Sequence, residues 1–297
     1  MILPPAAVMA LGVALLAAMD ATIKLLAAEH STLAIVLVRY GFGFVAVALV
    51  AAVVRPGWPT AEAIRANAAR AMVVLVAAST FYYALAVLPL ADAIALGFTA
   101  PLFVALFGWI VLQEAVSGAT LAALGVGFAG VVVIAWGQGL GGAAEGEALW
   151  GAVSAVVSAA TYAFSIVLLR RRAARDGPVG MVLVQTACLV LLVGPVAFAL
   201  GIGGEFRAEW SWVYVLVGTL GTAGTLCFGY ALTKAAAAPM ASLEYTAFIW
   251  AILWGAVLFA EAPTAPTLAG AALIVGSALI ATGRDRLLPR RSGQRTL

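Results

Sequence analysis

The chain is written in apolar blocks separated by short stretches that carry most of its prolines, arginines and acidic residues. A helix needs about 20 mostly apolar residues to cross a bilayer, and ten blocks reach that length: 5–27, 32–54, 68–88, 91–112, 117–137, 149–170, 178–201, 211–234, 237–260 and 264–283. Most connections are short, such as Glu29-His30-Ser31 and the Pro89-Leu90 turn, which makes successive helices antiparallel. The pattern predicts an all-α membrane protein of ten transmembrane helices. Residues 1–137 hold the first five spans, a glycine-rich linker covers 138–148, residues 149–283 hold the second five, and 284–297 form a basic tail.

The two halves repeat. Shifted by 147 positions without a gap, Phe81-Tyr82-Tyr83-Ala84-Leu85 falls on Phe228-Gly229-Tyr230-Ala231-Leu232. In the same register Leu96 meets Leu243, Phe98 meets Tyr245, and Thr99-Ala100 meets Thr246-Ala247. Gly108 meets Gly255, Glu114-Ala115 meets Glu261-Ala262, and Thr120-Leu121-Ala122 meets Thr267-Leu268-Ala269. Alanine and leucine matches come cheaply in so apolar a chain, whereas a shared glutamate, shared threonines and the F-x-Y-A-L run point to duplication. An odd number of spans per half turns the second half over, so two inverted five-helix repeats are expected, a construction common among transporters.

Composition agrees with the pattern. The chain is 65% hydrophobic and 10% charged, against about 25% charged residues in a soluble domain. Its length would allow two soluble domains, but it has too little polar surface to cover them. Cys188 and Cys227 lie in apolar runs without a C-x-x-C pair, and His30 is the only histidine, so metal, redox and histidine-based chemistry lack their ligands and bases. No metal or other cofactor is expected. The first block lacks a basic leader and continues past Asp20, the pattern of a span and not of a cleaved signal peptide.

Charge sets the orientation. Of the 16 Lys and Arg residues, Lys24 and Arg39 fall within spans and Arg207 lies in an outer loop. The other thirteen, among them Arg55, Arg65, Arg70, Arg170, Arg171, Arg172, Arg175, Lys234 and the tail arginines, share one side. Basic loops stay in the cytoplasm, so both termini are expected there. The net charge of +3 is then accounted for by anionic lipid headgroups, and no nucleic-acid partner is expected.

Within the spans, Gly218, Gly221 and Gly224, and Gly125 with Gly130, are candidates for close helix contacts. Pro101 and Pro195 fall mid-span, where each frees a carbonyl and allows a bend. The intramembrane charges carry the candidate chemistry. Asp20 and Lys24 are four apart and share one helix face. With Arg39 they fall in the outer half of the membrane, while Glu244 falls in the inner half. A charge at such depth costs several kcal/mol unless paired or wetted. Asp20, Lys24 and Arg39 form either a static ion-pair network or part of a wet pathway. Arg39, whose counterpart is Gln185 by the match of Val36-Leu37-Val38 to Val182-Leu183-Val184, one residue off the main register, is assigned to structure, and Asp20, Lys24 and Glu244 to the pathway. Glu244 either partners a cargo ammonium or caps the ninth helix near cytoplasmic water. Tyr82, Phe98, Tyr162, Tyr245 and Trp250 supply aromatic walls, and Thr99 and Ser165 supply hydroxyls. Such a mixture suits a small amphipathic metabolite.

These residues resemble the drug/metabolite transporter superfamily, in particular its ten-span EamA-type exporters. The resemblance rests on Lys24 in the first span, Val38-Arg39-Tyr40 in the second, Leu88-Pro89-Leu90-Ala91 before the fourth and Pro101 within it. It also rests on the closing Gln113-Glu114, echoed by Ala260-Glu261. In outline the chain is most similar to amino-acid exporters of the YddG type. The resemblance implies two inverted repeats around a central cavity lined by spans 1, 3, 4, 6, 8 and 9, alternating access, and a bacterial inner-membrane location.

An amino-acid exporter is the leading expectation: a zwitterion offers its carboxylate to Lys24 or Arg39 and its ammonium to Asp20 or Glu244. An amphipathic drug cation neutralised by Glu244 is the alternative on the same fold, and a lipid flippase a further one. An enzyme is not expected, because no acid, base and nucleophile converge. The expected partners are the cargo, the bilayer and, as a candidate coupling ion, the proton. A monomer is expected.

Overall fold

The computed structural model describes residues 4–112, 118–137, 145–170, 177–234 and 243–284. Its elements are α1 (Pro5–Leu26), α2 (Thr32–Val54), α3 (Ala61–Val87), α4 (Leu90–Gly97), α5 (Ala100–Leu112), α6 (Gly118–Gly137), α7 (Glu145–Arg170) and α8 (Pro178–Ala199), then α9 (Ser211–Lys234), α10 (Ala247–Phe259) and α11 (Ala265–Arg284). Two short 3-10 turns, Ile202–Glu205 and Ala208–Trp210, join α8 to α9. Six of the apolar helical stretches are long enough to cross a membrane, and shorter ones occupy 90–104, 125–137, 247–259 and 265–277.

Local chemistry sets most of the ends. The Ser31 hydroxyl accepts from the Ala34 amide at 3.3 Å and the Thr60 hydroxyl from the Ala63 amide at 3.2 Å, which satisfies a free N–H at the start of α2 and of α3. Pro5 and Pro178 stand in the first turns of α1 and α8, where a missing N–H does no harm. The third helix therefore starts at residue 61 and not at 68. Arg65 and Arg70, expected in a loop, are on this helix. Likewise α7 begins at Glu145, so the expected linker ends four residues early. Acidic residues at a helix start complement its dipole, which accounts for helix reaching back over Glu145 and Glu147.

The expected continuous fourth span is broken. α4 stops at Gly97 and α5 starts at Ala100. Pro101 has no N–H to bond the Gly97 carbonyl, and the Thr99 hydroxyl donates to the Leu96 carbonyl at 2.7 Å. The ninth span turns at the equivalent place: Tyr245 and Thr246 form a turn before α10, and the Thr246 hydroxyl donates to the Leu243 carbonyl at 2.6 Å. Phe248 stands where Pro101 does, so the feature common to both breaks is the threonine folding back on its own helix. Pro195, in contrast, lies inside an uninterrupted α8.

Helix packing follows the repeat. α1 packs on α9 as α7 packs on α3, α2 on α9 as α8 on α3, and α5 on α7 as α10 on α1, while α2–α8 and α6–α11 join equivalent helices. Glycines permit the closest approaches. A methyl group at Gly12 would lie 3.2 Å from the Gly224 carbonyl, and one at Gly130 would lie 2.7 Å from that of Gly270. Gly125, expected beside Gly130, meets nothing within 4 Å. The outer surface is apolar: Leu49, Val53, Leu191 and Phe198 are largely exposed, as are Trp58, Trp136, Trp150 and Trp212 near helix ends. Lipid accepts the first group, and tryptophan favours the headgroup level.

Candidate functional site

Two polar assemblies lie inside this apolar bundle. The first ties one end of it together. Lys24 Nζ pairs with Glu261 Oε1 at 2.9 Å, donates to the Leu88 carbonyl and lies 5.3 Å from the centre of the Phe259 ring. Glu261 Oε2 accepts from the Leu90 amide at 2.8 Å, capping α4 from a distant part of the chain. The carboxylate is aimed there by the turn ending α10, where Ala260 adopts φ 53° and the Glu261 amide bonds back to Gly255. The ammonium thus spans α1, the end of α3 and the segment after α10. The expected pairing of Lys24 with Asp20 is not what forms: Glu261 approaches Lys24 from another helix and also accepts a backbone donor. Beside it is a small open recess lined in part by Asp92, Gly255, Glu261, Thr264 and Thr267.

The same end carries further ties. Ser31 donates through its amide and hydroxyl to Glu205 at 2.7 and 2.9 Å, and Arg207 pairs with Glu29 at 3.1 Å. His30 is buried, with Nε2 2.7 Å from the Tyr214 hydroxyl. This histidine ties the α1–α2 connection to the first turn of α9.

The second assembly is a ladder through the bundle. Asp20 is half-buried within electrostatic reach of Arg39 and Tyr82. Arg39 is 6% exposed. Its Nε donates to the Met19 sulfur at 2.9 Å and its guanidinium lies 5.1 Å from the Tyr40 ring centre. Gly43 and Gly221 leave the space it fills. Tyr40 faces Tyr82 and lies within reach of both Arg39 and Arg70. Arg70 Nη1 donates to Gln185 Oε1 at 3.1 Å, and Tyr162 lies between the fields of Arg70 and Glu244. Tyr245, also within reach of Glu244, meets Phe98 edge to face at 5.2 Å. The rings contributed by the two helix breaks therefore touch.

Most expected site residues gather on this ladder: Asp20, Tyr82, Tyr162, Glu244, Tyr245 and Phe98. Lys24 belongs to the end tie instead. The Thr99 hydroxyl is spent on Leu96, and that of Ser165 donates to the Tyr162 carbonyl at 2.8 Å; both residues are fully buried. Trp250 is half-buried in the first turn of α10. Glu114 lies outside the described residues. Tyr40 and Arg70 join the ladder as well, although neither stood out as a site residue in the sequence. Thr60, followed by Glu62, was the available signal that Arg70 sits two turns inside a helix.

Fold and ladder together define a polytopic helical membrane protein with charge held inside its bundle. The chain belongs to the EamA-like transporter family, which matches over residues 4–136 and again over 149–283. The pseudopaline exporter CntI of Pseudomonas aeruginosa (strain UCBPP-PA14) is 28% identical over 206 residues, 69% of this chain and 70% of that one. A solved crystal structure has the same fold at TM-score 0.60 and 20% identity, covering 96% of this chain and 97% of the other.

Proposed function

We propose that this transporter exports small metabolites, amino acids foremost, across a bacterial inner membrane by alternating access through ten spans. The single observation that carries the reading is the ladder from Asp20 to Glu244. Buried charge on this scale is costly in a membrane, and packing alone does not require it; a path for a polar solute does. The reciprocal helix pairs, in which each helix of one half meets the other half as its counterpart does, are what a two-fold relation between inverted halves produces. The matched threonine breaks supply points at which each half bends. The ties around Lys24 and Ser31 close the side on which α1 ends, which the charge of the loops makes the outer side. Export of a metabolite is also what the name of the Pseudomonas relative states of that protein.

Counterflow in vesicles carrying the purified protein tests the reading. Labelled apolar or aromatic amino acids should enter amino-acid-loaded vesicles faster than protein-free controls. Flux of amphipathic drug cations alone would replace amino acids with the second cargo class. For orientation, a cysteine at Gly203 should react with an impermeant reagent added to whole cells and one at Gly57 should not. Both positions have open space for a side chain, and the reverse pattern would turn the molecule over.

A further inference from the structure

We infer that Arg70, steadied by Gln185, receives the carboxylate of the cargo, so that the path is built for molecules bearing both an acid and an amine. The inference rests on the exporter reading and deepens it.

Among the described residues, three cations lie within the bundle, and two are already engaged. Lys24 is held by Glu261 and the Leu88 carbonyl. Arg39 is enclosed by Met19, Tyr40 and the glycines of α2 and α9, with the carboxylate of Asp20 in reach, although its Nη1 is also buried without a hydrogen-bond partner. Arg70 differs. The partner that orients it is Gln185, a neutral amide, which fixes the guanidinium plane and leaves its charge uncompensated. No carboxylate of the described residues pairs with it, and its Nε is buried without a hydrogen-bond partner. A guanidinium offers parallel donors that match a carboxylate.

The surroundings supply the rest of the receptor. Tyr162, on the facing α7, lies within reach of Arg70 on one side and Glu244 on the other. It is 42% accessible, so the phenol is not sealed within the packed core. The phenol is thus within electrostatic reach of a cation and of an anion, the set of groups a zwitterion complements. An amphipathic cation has no use for Arg70 and would be repelled by it.

Three related probes separate the possibilities in vesicles: phenylalanine, phenethylamine, which lacks the carboxylate, and 3-phenylpropionate, which lacks the amine. The wild type should move phenylalanine best. Arg70→Gln should lower phenylalanine flux about 10- to 100-fold while leaving phenethylamine flux unchanged or raised, and Arg70→Lys should fall between. Loss of a charge-assisted hydrogen bond to the cargo has this signature; a general defect lowers every flux alike. Stabilisation of the detergent-solubilised protein by phenylalanine in a thermal melt should disappear in parallel, which provides a readout independent of turnover. Unchanged phenylalanine flux in Arg70→Gln overturns the inference. So does an equal loss for all probes in both variants with normal melting. A wild type that moves only phenethylamine also overturns it, while leaving an exporter in place. A wild type that neither moves nor is stabilised by any of them removes the amino-acid reading as well.

Discussion

Lys24→Met will destabilise the folded protein by about 2–3 kcal/mol, because it leaves the Glu261 carboxylate without its cation in a partly buried site. The side chains of the pair are 12% and 25% exposed, so the effect should fall below that of a fully buried pair. Glu261→Gln should act similarly, although its amide oxygen can still accept from Leu90. Removing both charges together should cost clearly less than the sum of the single changes, since neither is then left alone. Melting in detergent measures all three. In the same variants, a cysteine at Thr264, beside the tie, should become easier to label from outside. Strict additivity of the single effects would show that the two groups do not depend on each other.

Gly218→Ala will be more damaging than its one added methyl suggests. The new carbon would fall 2.4 Å from Cβ of Phe42 and 2.7 Å from the Gly43 nitrogen. Much of this obstruction is backbone, so α2 and α9 must separate. Overpacking of this kind costs about 1–3 kcal/mol, and the loss should fall in the upper part of that range. Gly221→Ala meets the Arg39 guanidinium at 2.2 Å, but that is the far end of a flexible side chain, and the effect should be smaller. Gly125→Ala, in α6 with nothing within 4 Å, should be neutral or stabilising by up to about 1 kcal/mol through helix propensity. Thermal melts ranked in any other order would contradict the packing of α2 against α9.

The apolar blocks made the helical class legible, and Ser31 supplied a local signal for the start of α2. Partnerships were harder to read. Lys24 sits four residues from an acid on its own helix and yet bonds Glu261 at the other end of the chain, a choice made by packing and by the turn at Ala260. The helix breaks were half legible. Pro101 announced the first, but the second has no proline, and only the shared Leu-x-x-Thr of both repeats marks where a hydroxyl displaces a helix bond. Thr99 and Ser165 looked like groups offered to a solute, whereas an intrahelical hydroxyl in an apolar setting first satisfies itself on its own helix. Arg70 was hidden by a start signal at Thr60 that hydropathy alone overlooks.

The bond between Lys24 and Glu261 has a kinetic consequence. In the proposed cycle it is given up each time the outer face opens, so its strength enters the equilibrium between the two waiting forms of the empty transporter. A bias of about 2 kcal/mol leaves the outward-open form at roughly one molecule in thirty. In that cycle the unloaded protein would wait facing the cytoplasm, the side of the proposed cargo, and would seldom offer its path to solutes outside. Such a resting bias sets which side meets the empty path first and how fast each half-turn runs, while net direction follows the gradient of the cargo across the membrane.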